Sequence, residues 1–303
     1  MIELPKPHYA KLQACLANPE LPPADRERVE EAVQRYHSWI REMESLPQGS
    51  DGVVAKLVEI TNRYKNFVEL DLIYDSPASF LYRQKEQLKL DNTILEEFLP
   101  QLLYRSLRGI GNDYVLGPKK TFAGLTFMSS LAIPGVGGEP LPRNKDQDFI
   151  LGRPLYIRTS FDSQFTNSRK IETYLGYVCM ECKTNLDKTM FQEAVATSRD
   201  LKLAVPNSLY FLVCEFLDMT PVSVASTMID DVLIVRKSKR ITANVRQGFK
   251  TSEARQKYRV QYSEFLDKSK YYADVFQRLV DRVQAQIDEI DPDPDVVLQQ
   301  GHF

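Results

Sequence analysis

Histidine is scarce in this 303-residue chain: His8, His37 and His302 are the three present, and they are scattered. So few argue against a histidine general base or a histidine-built metal centre. The four cysteines, Cys15, Cys179, Cys182 and Cys214, make no disulfide framework at this length, which fits a reducing, cytoplasmic setting. Cys179-x-x-Cys182 lacks a second ligand pair at zinc spacing, and on a strand its two thiols point to opposite faces. They read as small buried hydrophobes. No apolar run approaches the roughly 18 residues of a membrane helix, and the opening MIELPKPHYA is not a signal peptide, so no membrane partner is expected. Internal repeats and low-complexity tracts are absent. The glycines of PGVGGEP are followed by no Gly-Lys-Ser/Thr, so they serve turns and not a phosphate loop. Nor does a serine or cysteine stand in a nucleophile elbow.

What is present is an ordinary globular composition, 43% hydrophobic and 26% charged, with enough chain for a substantial core. The net charge of −2 hides an asymmetry. Residues 236–259 hold nine Lys or Arg against one acid, Glu253, a local +8 that leaves −10 on the rest. A basic block on an acidic body suggests an anionic partner met at one place, or else a solvated basic helix or hairpin.

The N-terminal third reads as helical. PPADRERVEEAVQRYHSWIREME opens with prolines and acids and repeats apolar residues at Val29, Val33, Tyr36, Ile40 and Met43. A second helix follows in VVAKLVEITNRYKNFVEL and a third near 78–89. DNTILEEFLPQLLYRSL makes another, with Asp91 or Asn92 as its N-cap and a kink at Pro100. Past RGIGND the chain turns Gly- and Pro-rich, with short strands predicted within 121–133. Then come strand 148–160, strand 174–183, helix 187–202, strands 208–217 and 230–236, and a C-terminal helix over 271–290. The order predicts an α/β (α+β) protein, a mixed β-sheet flanked by helices with a helical N-terminal region. The helical N-terminal region is taken as 1–89 and the basic segment with the C-terminal helix as 236–303, leaving 90–235 between them.

Strand 174–183 ends unusually. Alternate side chains share a face, so Val178, Met180 and Cys182 point to the core while Tyr177, Cys179, Glu181 and Lys183 point the other way. That second face turns polar only at its C-terminal end, where an acid and a base stand side by side. A lone Glu-x-Lys is weak evidence, since a surface ion pair on an edge strand explains it too. Its context strengthens it: KDQDFILGRPLYIRTSFD supplies a neighbouring strand that begins with acids. If 148–183 is one hairpin turning at 164.5, Asp148 lies opposite Glu181. Pro154 cannot donate to a ladder and implies an edge or a bulge, and a bulge would move the register and bring Asp146 into play. An Asp, a Glu and a Lys converging at sheet ends suit a hard ion such as Mg²⁺ and a phosphate.

Asp148 with Glu181-Cys182-Lys183 resembles the PD-(D/E)xK nuclease signature, although Gln147 stands where that signature has proline. ECKTNLDKTMFQEA, GPKKTFAGLTF and KDQDF resemble type II restriction endonucleases of the Bpu-ten-I kind, over residues 90–235. The resemblance implies a restriction-endonuclease-like fold and a Mg²⁺-dependent enzyme hydrolysing phosphodiester bonds in double-stranded DNA at a short site. By position, Asp148 and Glu181 would hold the metal, with Asp146 as the alternative acid and Glu97 as a further contributor. Lys183 would serve the attacking water, and Gln192 would support the site from the next helix. In the basic block, Arg236, Lys237, Lys239, Arg240, Asn244, Arg246, Gln247 and Lys250 are the types that reach phosphates and base edges. One Asp…Glu-x-Lys set per chain implies a homodimer, or a heterodimer with a related subunit. A cognate DNA methyltransferase is expected in the same system. A repair or junction nuclease on this core, and a catalytically silent DNA-binding or partner subunit, are the rival readings.

Overall fold

The computed structural model describes residues 3–87, 89–288 and 294–301. Leu88, His302 and residues 289–293, on which the ends of two predicted helices fall, lie outside them. The N-terminal helices are α1 (Pro7–Ala17), α2 (Pro23–Glu44), α3 (Val53–Asn66), α4 (Ser79–Gln87) and α5 (Thr93–Ser106). Helix α3 runs on into a π-helical segment, Phe67–Tyr74. Prolines at the first positions of α1 and α2 cost no intrahelical bond there. The inner stripe of α2 is Val29, Ala32, Tyr36, Trp39 and Met43. It is turned slightly from the predicted one, leaving Val33 and Ile40 partly buried.

A mixed sheet follows, in the order β1 (Val115–Phe127), β2 (Pro140–Ser160), β3 (Ser168–Leu186), β4 (Leu209–Leu217), β5 (Asp231–Lys239). β1, β2 and β3 form an antiparallel meander, while β3, β4 and β5 run parallel. Helix α6 (Lys188–Ala204) makes the crossover from β3 to β4, started by Asp187, whose side chain accepts from Met190 N at 2.9 Å. One core packs the N-terminal helices and α10 (Ala273–Asp288) against Phe149, Leu151, Val178, Met180, Phe211 and Val213. On the other face α6 covers Ile150, Cys179, Tyr210, Leu212 and Cys214. Cys179 is therefore buried like Val178 and Met180, and β4 reads LYFLVCEFL because both its faces are covered. Beyond β5 the chain forms α7 (Ala243–Gln247), α8 (Ser252–Lys257) and α9 (Arg259–Lys268), which close on the π-helical segment through Phe249, Tyr262 and Leu266.

The register of β2 on β3 positions everything that follows. Near the turn the pairs run from Ser160↔Ser168 to Gly152↔Gly176, so the hairpin is centred on residue 164, half a residue before the predicted point. An extra residue, Tyr177, then bulges out, and pairing resumes as Leu151↔Val178, Ile150↔Cys179 and Phe149↔Met180. The two offsets cancel. The bulge that threatened the Asp148–Glu181 alignment is what produces it, and it sits two residues from Pro154. Gly152 is obligatory there, because a Cβ would meet the Leu175 carbonyl oxygen at 2.2 Å.

Candidate active site

Past Phe149↔Met180 the two strands part, β2 continuing along β1 and β3 along β4. Asp148 and Glu181 stand across this split. The Asp148 carboxylate fills the gap in the ladder, its Oδ2 accepting the Cys182 N–H at 2.8 Å. Glu181 is held from two sides: Tyr210 Oη donates to Oε2 at 2.8 Å, and Lys183 Nζ lies 2.7 Å from Oε1. A cleft of about 550 Å³ opens over them, lined by Pro118, Lys119 and Lys120 of β1, Lys145 to Asp148 of β2, Glu181, Lys183, and Thr197 of α6.

Burial raises the Asp148 pKa above the ordinary carboxylate value, and the Glu181 charge adds to this, against the Cys182 N–H and Lys183. Burial also pulls on the Lys183 ammonium, but the hydrogen bond and charge of Glu181, with Asp148 and Glu193, outweigh it and leave its pKa raised. Lys183 is thus a cationic hydrogen-bond donor at neutral pH. Tyr210 is pushed far up by burial and by Glu181, so it stays a neutral phenol.

The other predicted residues are distributed unevenly. Asp146 lines the cleft mouth but is exposed, with Lys120 Nζ 3.8 Å away, while Lys145 pairs with Asp200 at 2.9 Å. Gln192 is exposed on the first turns of α6 and outside the cleft lining, whereas Glu193 acts on Lys183 and Thr197 lines the cleft. Glu97 is not at the cleft. It is buried under α1, where it accepts from His8 N at 2.8 Å, Tyr9 N at 3.2 Å and Tyr36 Oη. Its neighbour Glu96 is the one that feels the site's charges: burial and the Asp148 charge raise its pKa, with Lys89, Lys11 and Lys183 opposing, although it is not among the residues lining the cleft. The signal was in the sequence, because Glu97 shares the Ile94–Gln101 stripe of α5 and Glu96 lies off it.

The basic block divides as well. Arg236 contacts no solvent-facing surface: it is buried among Glu69 Oε1 at 2.7 Å, Glu215 Oε2 at 2.8 Å and the Ser269 carbonyl at 2.6 Å. Lys65 completes that buried network, 2.8 Å from Glu215 Oε1, and ties α3 to the sheet. Lys237 is bound to Asp274, and Arg240 donates to Asn185 Oδ1 at 3.0 Å. Lys239 and Asn244 are exposed. Arg240, Arg246, Gln247 and Lys250 line a second cavity. Besides Lys183, the cations at the cleft are Lys119, Lys120 and Lys145, on strands where no charge count singles them out.

The donor set suits a hard divalent ion. Asp148 and Glu181 offer carboxylate oxygens, and Gln147 Oε1 is a buried acceptor at the cleft with no partner among the described residues. Among those residues no cluster of three or more His, Cys, Asp and Glu stands ready for a metal, so the rest of the shell would come from water and phosphate. The thiols of Cys179 and Cys182 are raised by burial, Cys179 to about 12, and are inert packing groups. No helix is long and apolar enough to cross a membrane among the described residues.

A solved structure described as "native BbvCI A2B2 tetramer at low resolution" superimposes with a TM-score of 0.57 at 17% identity, covering 88% of this chain and 98% of that one. It shares the fold. No curated protein matches the chain. The model of the Bpu10I restriction endonuclease family matches residues 87–303, taking in the whole sheet, the cleft and the helices after β5. With well over half its length matched, the chain belongs to the Bpu10I restriction endonuclease family.

Proposed function

We propose that the chain is a type II, site-specific endonuclease subunit that hydrolyses phosphodiester bonds of double-stranded DNA with Mg²⁺. The observation that carries this reading is the meeting of Asp148, Glu181 and Lys183 where β2 and β3 part, in an open cleft edged by lysines. Asp148 and Glu181 would hold the ion, which when bound offsets charge on the phosphate oxygens. The cationic Lys183 cannot take a proton, so it donates to the attacking water and offsets charge developing on the phosphate. Tyr210 fixes the Glu181 carboxylate, leaving its other oxygen to Lys183 and the ion. Lys119 and Lys120 give the backbone of the duplex an electrostatic track into the cleft.

Among the described residues the chain carries one such site, and cutting both strands takes two or a repositioning. We infer pairing with a second copy or a related subunit, an arrangement in keeping with the A2B2 description of the BbvCI structure. A methyltransferase protecting the same site belongs to such a system. Incubation with phage DNA and Mg²⁺ tests the reading. Discrete, sequence-mapped fragments are expected. Cuts that follow DNA structure and not sequence would make it a repair nuclease, and binding without cleavage a silent subunit.

A further inference from the structure

The second cavity, of about 810 Å³, lies between the π-helical segment, α4, the ends of β3 and β4, and α7 and α9. Its position links it to the catalytic cleft. Thr184, which lines it, follows Lys183 on β3, and the charge of Lys89 on its rim acts on both Asp148 and Glu96. Its volume is that of a pocket for one small molecule, for which about 300–1,000 Å³ is usual, and a duplex cannot enter. The walls are aromatic, with Tyr74 stacked on Tyr262 at 4.1 Å. The rim is cationic: Arg83, Lys89, Arg246 and Lys250 line it. Of the acids that line it, Glu69 and Glu215 are paired with Arg236, and Asp91 is buried.

Two polar atoms remain unaccounted for. Tyr74 Oη is buried and has no hydrogen-bond partner among the described residues, and the same holds for Arg246 Nε. Tyr74 is 1% exposed, so no protein group among the described residues offsets the burial of its hydroxyl. A planar apolar body carrying hydrogen-bonding edges and a phosphate would satisfy these walls, both orphan groups and the rim together.

We propose that this cavity binds a single nucleotide unit, its base against the aromatic wall and in hydrogen-bond reach of Tyr74 and Arg246, its phosphate on the cationic rim. The unit is either a nucleotide extruded from the DNA beside the cut or a free nucleotide; the first source rests on the proposed function, the pocket itself does not. Extrusion fits the geometry, since only an unstacked base can leave a duplex for a concave site.

Titration of the purified full chain with each of the four deoxynucleoside monophosphates, against deoxyribose 5-phosphate, tests the pocket. At least one should bind tenfold or more tighter than the base-free sugar. Tyr74→Phe should weaken that binding about fivefold, one hydrogen bond's worth, while Tm stays level or rises, because no native partner is lost. Arg246→Ala should weaken it further. In parallel, 2-aminopurine is placed at each position of the mapped cleavage site, with Ca²⁺ in place of Mg²⁺. A several-fold fluorescence rise at one position, reduced by Tyr74→Phe, identifies DNA as the source; monophosphate binding without any rise identifies a free nucleotide. If neither signal appears, the proposal is overturned, even when the same preparation cuts phage DNA. Nucleotide binding by a preparation that cuts nothing leaves the pocket standing and removes the nuclease reading.

Discussion

Asp148→Asn should end cleavage and at the same time make the fold more stable. The asparagine Oδ1 can still accept the Cys182 N–H, so the 2.8 Å bond that fills the split ladder survives. What disappears is a negative charge that burial and Glu181 oppose. The sign follows from the raised carboxyl pKa. The folded state favours the protonated form, so stability is full below the ordinary carboxylate pKa and is lost as pH rises through the folded value. At pH 7 the charge is a cost, and removing it should return on the order of 1 kcal/mol, a Tm gain of about 1–2 °C for a chain of this size. The gain should vanish near pH 3, where both proteins are neutral at this position. Cleavage moves the other way. Unit charges about 4 Å apart at an effective dielectric near 20 interact by about 4 kcal/mol, and a divalent ion doubles that. If desolvation cancels half, the ion loses about 4 kcal/mol of attraction, or about 1,000-fold in occupancy. Scanning calorimetry at pH 3 and pH 7, with single-turnover cleavage over a Mg²⁺ titration, reads both effects. A variant that loses stability at pH 7 but cleaves within tenfold of the parent would refute the reasoning. Asp146→Asn is the control, since that exposed carboxylate faces Lys120 and solvent, and it should change neither reading by much.

Lys183→Ala should abolish single-turnover cleavage while leaving DNA affinity within a few-fold; a rate within tenfold of the parent removes its role at the water. Arg236→Ala should leave Glu69 and Glu215 buried without their cation and cost about 3–5 kcal/mol in denaturant unfolding. A mild, purely DNA-binding defect in that variant would return Arg236 to the contact surface. Arg246→Ala with Lys250→Ala should flatten the slope of log affinity against log salt by about 1.8 if both meet phosphates, and equal slopes would mean neither does. Glu97, whose pKa burial raises to about 7 against its hydrogen-bond donors, should make stability fall between about pH 4.5 and 7. That loss is on the order of 3 kcal/mol, and Glu97→Gln should flatten this part of the stability–pH curve. An unchanged curve would show that Glu97 ionises like an exposed glutamate.

Local pattern was enough to write down most of the elements from the sequence. Period-2 alternation marks β2 and β3, and a near-continuous apolar run marks β4. The 3.6-residue stripe marks α2 and α5, and Asp187 marks the start of α6. Glu181 and Lys183 could be singled out for the same reason: two residues apart on one strand, they share a face whatever surrounds them. Side chains brought together across sequence distance could not be read this way. The meeting of Asp148 with Glu181 depends on where the turn falls and on the Tyr177 bulge, two single-residue events that local preference does not fix. Glu97 is lost to the site because α1 and Tyr36 enclose its carboxylate, while the charges of Asp148 and Lys183 act on Glu96 instead. Arg236 and Arg255 count toward the basic block, yet one closes a buried ion network and the other is buried against the carbonyls of Tyr74 and Ser76. Formal charge is a property of the sequence; whether it faces solvent, a partner or the core is decided by packing, because only the folded chain sets what each charge is desolvated against.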